Sequence, residues 1–359
     1  MPRILHNNIT ALWWRLTTFH LIIYGEMKVT MKPTRRRFIS VSASVMAAGT
    51  LQANGVQAAP QKLELYKWQG VAMGAAAQMS LYAASETQAK ILFQKCENEI
   101  ERLEVIFSLF KPNSDISRLN ATGQLRNPNF ELVELLSRCK SYSQLTNGAF
   151  DVTIQPLWKF YQTHFSGSNA DIPAAELDKV LELVGAEAIL LSANKISLAK
   201  PNMAISLNGV AQGYLTDKIS DILRQDGFEN ILVNMGETFA LGTHQDGRNW
   251  TIGITSPQDQ SQIAQLVKMN DQAIATSGGY GSPFSGNGHH HLLNPKTGLS
   301  ANIYASVSVI ATDSLTADML STAFYIMPMH EIDAVWHKFP QLQRAIFIDF
   351  NGNVTEKRV

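Results

Sequence analysis

The sequence predicts an α/β fold built from mixed sheets and helices. Short apolar runs typical of strands alternate with longer segments whose apolar residues recur at helical spacing. Near the middle of the chain, the apolar run Met203–Ser206 leads through a glycine-containing turn into a helical pattern from Tyr214 to Leu223. The 359 residues, 45% of them apolar, are enough for two domains or one large domain with a sizeable core.

Charge and cysteine content exclude several classes of protein. The chain has 30 basic and 30 acidic residues and a formal net charge of zero. A nucleic-acid partner would require a basic face, so none is expected. The two cysteines, Cys96 and Cys139, both fall in helix-like segments and are predicted to be buried free thiols. No cysteine-rich metal pattern is present.

Residues 1–58 are predicted to be an N-terminal extension that is separate from the domain formed by residues 60–359. Thr34-Arg-Arg-Arg-Phe-Ile-Ser40 precedes an uncharged run and a small-residue segment that ends near Ala58. This pattern resembles a twin-arginine export signal, and the alternative is a basic tail before a buried helix. The signal predicts a periplasmic protein, and because no cysteine follows the apolar run, a lipoprotein anchor is not expected.

The position of the start codon stays open between Met1, Met27 and Met31. The segment Ala11–Tyr24 is apolar, but it is too short and too interrupted to span a membrane. Met27 and Met31 lie just before the arginines, which favours the hypothesis that translation begins at one of them.

Periodicity and turn residues place the remaining elements. We expect a hairpin within residues 62–85 that turns near Met73-Gly74, and a turn at Asn147-Gly148 with a break at Pro156. Helices are predicted at 87–107, 130–145 and from Tyr214 to a stop at Gly227, with a small helix and a strand in 171–191. Further strands are predicted at 230–234, 250–254, 273–277 and 305–311, and a final helix after Thr312-Asp-Ser314.

The central stretch Ser206-Leu-Asn-Gly-Val-Ala-Gln-Gly-Tyr214 has two interpretations. It is either a permissive glycine turn between a strand and a helix, or a place where backbone N–H groups and the helix dipole face an anion. Short glycine patterns occur often by chance, so the stretch alone does not decide between them.

Asp318 and Thr322 are the candidate metal ligands. They lie four residues apart in a predicted helix and therefore share a face. A carboxylate and a hydroxyl are hard oxygen ligands that suit Mg²⁺, particularly next to phosphates. The alternative is an Asp–Thr pair in ordinary packing or on a solvated face.

Two other polar groups carry weaker signals. His289-His-His291 invites a zinc assignment, but adjacent residues point in different directions and no carboxylate follows at helical spacing, so zinc is not expected. Asp151 stands among apolar neighbours and needs a partner if it is buried. It is either a capping residue or part of a site.

Taken together, these blocks resemble the ApbE-type flavin transferases, which transfer FMN from FAD to proteins. The match covers about residues 63–330, and its motifs stand in the family's order. They are Met73-Gly74, Phe107-Ser-Leu-Phe-Lys-Pro-Asn-Ser-Asp-Ile-Ser-Arg-Leu-Asn120, Gly148-Ala-Phe-Asp-Val-Thr-Ile-Gln-Pro-Leu157, Ala275-Thr-Ser-Gly278, His291-Leu-Leu-Asn-Pro-Lys-Thr-Gly298 and Ala317-Asp-Met-Leu-Ser-Thr322.

The resemblance implies a fold of two halves with FAD between them and a Mg²⁺-dependent reaction. A Ser or Thr hydroxyl of a periplasmic or membrane-bound flavoprotein of an electron-transport system attacks the FMN-side phosphorus, and AMP leaves. By resemblance, Gly209, Asp318 and Thr322 hold the metal, and His291 and Asp318 are catalytic. The residues expected to bind FAD are Met73, Phe110, Ala149, Phe150, Asp151, Ser206, Gln212, His291 and Leu292.

The chain departs from the family pattern in its central stretch. Ser206, Asn208 and Gln212 stand where the family commonly has Asp, Gly and Lys, Met235 replaces a glycine, and Asn294 replaces an Asp. These changes leave two rival functions, namely an FAD-binding protein without transfer activity and a pyrophosphatase that splits FAD into FMN and AMP.

Overall fold

The computed structural model describes residues 63–167, 171–284 and 288–358, together with the backbone of two short N-terminal strands. Its described residues form three antiparallel sheets and eight α-helices. This is the α/β fold of mixed sheets and helices that the sequence predicts. The predicted export signal and its cleavage site near Ala58 lie outside the described residues, apart from the short strands.

The strands run in chain order as β1 Ile22–Ile23, β2 Ile39–Val41, β3 Glu64–Ala72, β4 Ala75–Ala83, β5 Gln124–Arg126, β6 Ile189–Ser192, β7 Lys195–Leu198, β8 Ile231–Asn234, β9 Thr238–Leu241, β10 Trp250–Thr255, β11 Ile263–Met269, β12 Gln272–Ser277, β13 Ser306–Ala311, β14 Leu342–Ile348 and β15 Val354–Arg358.

The helices are α1 Glu86–Phe107, α2 Asp115–Thr122, α3 Phe130–Leu145, α4 Gln155–Gly167, α5 Ala174–Leu181, α6 Ala211–Gln225, α7 Ser314–Ile326 and α8 Met329–Val335. Side chains cap several of them as the sequence suggests. Ser85, Ser114 and Asp313 each accept a hydrogen bond from the first turn of α1, α2 and α7.

The main sheet has nine strands in the order β15-β14-β13-β12-β9-β8-β4-β3-β2. Both faces of this sheet are apolar. Successive residues of a strand point to opposite faces, so consecutive apolar residues contribute to both. On β12, Ala273 and Ala275 join the large core that includes α1, α3, α6 and α7, whereas Ile274 joins a second core with strands β10 and β11. The helices therefore cover one face of the sheet and the β10–β11 hairpin covers the other.

The hairpin predicted within residues 62–85 is confirmed. β3 and β4 pair in register up to Ala72 and Ala75. The two residues between them, Met73 and Gly74, have φ angles of 49° and 83°. Two successive positive φ values are the conformation of a tight hairpin turn, which a glycine adopts without strain.

Two sequence predictions are wrong. Met203–Ser206 is not a strand, because its backbone groups pair with a side chain and a loop and not with a neighbouring strand. The Asn120 amide pairs with both the N–H and the C=O of Ile205, at 2.7 and 2.8 Å. Pro156 does not break a helix but is the second residue of α4, where its missing N–H has no intrahelical partner to lose.

Both cysteines are buried and free, as predicted. Burial raises the pKa of the Cys96 thiol to about 12, which makes it unreactive at neutral pH. Across the described ranges, no helix combines the length and the apolar composition that a membrane crossing needs.

Candidate functional site

Helices α6 and α7 approach each other closely at Gly213. A Cβ atom on this residue would lie 2.5 Å from the Ser314 carbonyl oxygen and 2.8 Å from Asp318 Cβ, so only glycine fits. The Gly213 N–H donates to Asp318 Oδ2 at 3.0 Å. The end of the central glycine stretch and the predicted metal ligand on α7 are therefore in direct contact.

The Asp318 carboxyl group is buried, with only 4% of the residue exposed. Its pKa is raised to about 7, mainly by burial; the bond from Gly213 opposes this shift and the negative charge of Asp217 adds to it. Such a group stays ionised more readily when a cation is close. In the described part of the chain, no lysine or arginine forms an ion pair with it.

Oxygen atoms cluster around Thr322, one helical turn after Asp318. The residue Gly209 lies against Thr322, since a Cβ built on it would be 3.2 Å from Thr322 Oγ1. The Ser277 hydroxyl, at the end of β12, lies 3.4 Å from Thr322 Oγ1 and 2.9 Å from Ser321 Oγ. All three predicted metal ligands thus belong to one polar cluster between α6, α7 and β12.

Two acidic residues that sequence reasoning missed belong to the same region. The pKa of Glu237 is raised well above its ordinary value by burial and by the charge of Asp318. Asp217 accepts hydrogen bonds from the backbone N–H groups of Ser314 and Leu315, at 2.7 and 2.9 Å, and so caps α7. The glycine turn at Gly236-Glu237 was a sequence feature that could have pointed to Glu237 as a site residue. Asp217 lies within a helical pattern, and no sequence feature distinguished it.

Ser206 and Gln212 lie at the beginning of α6. Ser206 donates its N–H to the Val152 carbonyl at 2.7 Å, and its hydroxyl accepts from Asn208 at 3.4 Å. The Gln212 carboxamide packs on Gly236, where a Cβ would lie 2.5 Å from Gln212 Cδ. No side chain caps α6. The structure therefore fits both sequence interpretations, a glycine turn and an anion-facing helix end.

Met73 and Phe110 form a second group at the β3–β4 turn. A Cβ on Gly74 would lie 3.1 Å from the Phe110 ring. The Met73 N–H donates to Glu104 Oε1 at 3.0 Å, which anchors the turn to α1. Phe110 is 58% exposed, so most of its ring faces outward.

Ala149 and Phe150 are buried, and Asp151 takes the capping role that was one of its two interpretations. Its Oδ1 accepts from the N–H and the hydroxyl of Thr153 at 2.8 and 2.6 Å, and its Oδ2 accepts from the Ala186 N–H at 2.8 Å. Burial raises the Asp151 pKa against these bonds. Both carboxylate oxygens are therefore occupied within the protein, and a contact with FAD stays a prediction.

The two histidines His290 and His291 have different surroundings. The ring of His290 is buried between Ala301 O, which lies 2.9 Å from Nε2, and the Leu292 N–H. Burial lowers the pKa of His291 to about 4, so this ring is neutral at pH 7. Its Nδ1 atom is buried without a hydrogen-bond partner in the described part of the chain. His291 thus has an unused polar atom.

A cavity of about 360 Å³ lies on the His290 side of this loop. Its walls include Gly279, Tyr280 and Tyr325, and none of the residues predicted to bind FAD or metal lines it. Within the described ranges, no group of three or more His, Cys, Asp or Glu side chains is arranged to hold a metal ion. A metal at Asp318 would therefore need hydroxyl, carbonyl or water oxygens as well.

Comparison with known proteins gives consistent matches. The ApbE family model matches residues 73–347. An FAD:protein FMN transferase of Klebsiella pneumoniae (strain 342) is 30% identical over 302 residues, which cover 81% of this chain and 91% of the relative. The FAD:protein FMN transferase of Vibrio cholerae serotype O1 (strain ATCC 39541 / Classical Ogawa 395 / O395) is 28% identical over 247 residues, covering 67% and 74% of the two chains.

Solved structures match over similar lengths. The flavin transferase ApbE from Vibrio cholerae superposes with a TM-score of 0.70 at 25% identity, covering 82% of this chain and 97% of that chain. The ApbE protein from Thermotoga maritima superposes with a TM-score of 0.71 at 25% identity and the same coverage.

Proposed function

The chain belongs to the ApbE family, and from this premise we propose that it transfers the FMN moiety of FAD to a Ser or Thr hydroxyl of a partner protein with the help of Mg²⁺. Transfer of FMN from FAD to a protein is the reaction for which its relatives are named. The metal, the acceptor hydroxyl and the residue roles are our extension of that activity to this chain.

One observation supports the proposal more than any other, the convergence of Gly209, Asp318 and Thr322 at the closest approach of α6 and α7. Gly209 belongs to the central glycine stretch, whereas Asp318 and Thr322 belong to the block Ala317–Thr322. Gly209 and Thr322 are 113 positions apart in the sequence (322 − 209). A side chain at Gly213 would displace α7, and one at Gly209 would press on the Thr322 side chain. The close packing of α6 against α7 therefore brings the oxygen atoms of the cluster together and also forms part of the core.

The oxygens present fit a magnesium ion. Asp318 offers a carboxylate whose second oxygen is not used by the Gly213 bond, Thr322 offers a hydroxyl, and Gly209 offers a backbone carbonyl. Mg²⁺ prefers such hard ligands and keeps several waters, which FAD phosphate oxygens can replace. When bound, the ion would screen the diphosphate and support the charge that develops on the leaving phosphate.

The reaction forms one P–O bond and breaks another. The acceptor oxygen attacks the FMN-side phosphorus, its proton leaves to a base, and the bond between the two phosphates breaks as AMP departs. His291 is neutral at pH 7 and has an unpartnered Nδ1, so we assign it to proton transfer near the diphosphate.

The remaining predicted residues would hold FAD. The exposed ring of Phe110 beside the Met73-Gly74 turn offers an aromatic face for the flavin. Ala149, Phe150 and Leu292 would form apolar walls of the FAD site. Asp151 would act indirectly, because it fixes the loop whose Val152 carbonyl accepts a hydrogen bond from the Ser206 N–H. Ser206 and Gln212 would offer uncharged hydrogen bonds near the phosphates.

We place this reaction outside the cytoplasm, on periplasmic or membrane-bound flavoproteins of electron-transport systems. The twin-arginine pattern before Ala58 supports this location, and residues 60–359 would be the exported catalytic domain. A fusion of residues 1–62 to a reporter that functions only in the periplasm would test it. Activity that is lost when Arg35 and Arg36 are both changed to Lys supports export, and activity without dependence on these arginines contradicts it.

The transfer activity is tested directly with purified protein, FAD, Mg²⁺ and an acceptor flavoprotein domain. We expect the acceptor to gain the mass of FMN and to become fluorescent after denaturation, and we expect AMP to appear in equal amount. An acceptor with Ala in place of its target Ser or Thr is the control.

The two rival functions give different results in the same assay. Tight FAD binding without labelling of the acceptor would identify a binding protein. AMP release at an equal rate without the acceptor would identify a pyrophosphatase, in which water replaces the hydroxyl.

A further inference from the structure

Glu237 lies at the edge of the metal cluster. Strand β9 pairs with β12 in antiparallel register, with Thr238 opposite Ile274. Continuing that register by one residue brings Glu237 opposite Ala275, next to Thr276 and Ser277. The Ser277 hydroxyl in turn lies 3.4 Å from Thr322 Oγ1. The strand register therefore places Glu237 near the end of β12 that contacts the predicted metal ligand Thr322.

The first turns of α6 contact both the main chain of Glu237 and the carboxylate of Asp318. The Thr216 hydroxyl lies within hydrogen-bonding distance of both the Gln212 and the Glu237 carbonyl oxygens, at 2.8 and 3.1 Å. The adjacent Gly213 donates to Asp318 Oδ2 at 3.0 Å. Thr216 and Gly213 are one helical turn apart, so the main chain of Glu237 and the carboxylate of Asp318 both lie against the same face of α6.

The two carboxyl groups have no positive partner. Neither Glu237 nor Asp318 forms an ion pair in the described part of the chain. The third acidic residue nearby, Asp217, is occupied by backbone N–H groups of α7. The Glu237 carboxylate accepts a hydrogen bond from the Thr276 backbone N–H, so it lies at the end of β12 that leads to Ser277. Asp318 is buried and Glu237 is half-buried, and two such carboxylates close together are destabilising unless a cation binds near both.

We propose that Glu237 is a further residue of the metal site, whose carboxylate would help Asp318 to hold the divalent cation. The inference rests on the proposed metal site at Gly209, Asp318 and Thr322. It adds a second negative charge to a site that otherwise has one carboxylate, which strengthens binding of Mg²⁺ before FAD arrives.

The alternative is that Glu237 only supports the structure, by accepting a hydrogen bond from the Thr276 backbone N–H. Glu237→Gln separates the two roles, because glutamine keeps the shape and an acceptor oxygen but removes the charge. Glu229→Gln is the matched control, since Glu229 is exposed in the loop before β8 of the same hairpin. Glu237→Asp keeps the charge and withdraws it by one methylene group.

The experiment measures Mn²⁺ binding in the absence of FAD, by calorimetry and by the electron paramagnetic resonance signal of free Mn²⁺. We expect Glu237→Gln to weaken binding at least tenfold, Glu237→Asp to weaken it less, and Glu229→Gln to leave it unchanged. Mn²⁺ affinities of Glu237→Gln and Glu237→Asp within twofold of the unaltered protein would overturn the inference.

Thermal unfolding supplies a second readout that is independent of catalysis. Without metal, Glu237→Gln should melt at the same or a higher temperature than the unaltered protein, because one of two repelling carboxylates is gone. With saturating Mg²⁺ it should gain less stability. A lower melting temperature without metal and an unchanged gain with Mg²⁺ would identify a structural role.

Asp318→Asn distinguishes this inference from the proposed function. If Asp318→Asn abolishes Mn²⁺ binding and Glu237→Gln does not, only the inference about Glu237 is wrong. If both variants bind Mn²⁺ like the unaltered protein, the metal site itself is wrong, and the inference is wrong with it.

Discussion

At the scale of single residues, Gly213 shows why the site forms and why its full extent could not be predicted. Asp318 and Thr322 were predictable as a pair, because four residues of helix place them on one face. Their partner Gly213 could not be assigned, since the contact joins residues 105 positions apart in the sequence. Glu237 was missed for the same reason, because its neighbours are set by strand register and not by spacing.

Ser206 and Gln212 carry a prediction about affinity. Restoring the charged residues of the family pattern, with Ser206→Asp and Gln212→Lys together, should tighten FAD binding about tenfold in the presence of Mg²⁺, because charged hydrogen bonds are stronger than neutral ones. Titration of FAD fluorescence measures the effect.

Lys218→Arg, a change on the same helix that keeps the charge, is the control for this titration. Equal or weaker FAD affinity of the double variant would show that the two positions do not contact FAD.

At the scale of elements, the segment Met203–Ser206 shows how a correct pattern can give a wrong element. Its apolar residues are buried as in a strand, but none of the strands in the described part of the chain pairs with it. The carboxamide of Asn120 replaces the missing partner by bonding the N–H and the C=O of Ile205. No local sequence pattern could predict this contact, because Asn120 and Ile205 are 85 positions apart.

Removing that carboxamide should loosen the entry to α6. We expect Asn120→Ala to lower the free energy of unfolding by about 1–3 kcal/mol, since both backbone groups of the buried Ile205 lose a partner. Urea unfolding measures the loss, and hydrogen exchange should show faster exchange at residues 205–210.

Asn208→Ala, a change at an exposed position of the same segment, is the control. An Asn120→Ala protein with unaltered stability and exchange would mean that water replaces the side chain without cost.

The loop that carries His290 and His291 predicts a dependence of stability on pH. Burial lowers the pKa of His291 to about 4, whereas a histidine in an unfolded chain titrates near about 6.5. Between these values the unfolded chain binds a proton that the folded chain does not. The contribution of His291 to stability is therefore complete above about pH 6.5 and is lost as the pH falls towards 4.

We expect His291→Gln to lose less stability than the unaltered protein when the pH is lowered from 7 to 5. The comparison uses urea unfolding at both pH values, so that acids common to both proteins cancel. His337→Gln, at an exposed position, should behave like the unaltered protein. An identical pH dependence for His291→Gln would show that its ring is protonated in the folded protein.

At the scale of the whole molecule, the sequence predicted the order and type of most elements but not how they assemble. The β3–β4 hairpin and helices α1, α3, α6 and α7 followed from period and turn residues. Placing β12 in the sheet between β9 and β13 depended on pairings between distant segments, which local patterns do not encode. Long-range contacts also bring the separate motif blocks together. From the sequence, only the resemblance of these blocks to a known family indicated that they lie close to one another.

The central claim is that Asp318 holds a magnesium ion that FMN transfer requires, and Asp318→Ala tests it most directly. The variant should keep the fold, because removing a buried carboxyl group without a cationic partner relieves repulsion with Glu237. The measurement is covalent FMN on the acceptor domain, with and without Mg²⁺, alongside circular dichroism of each protein. We predict that a folded Asp318→Ala protein gives no Mg²⁺-dependent labelling, and labelling near the unaltered rate would contradict the account.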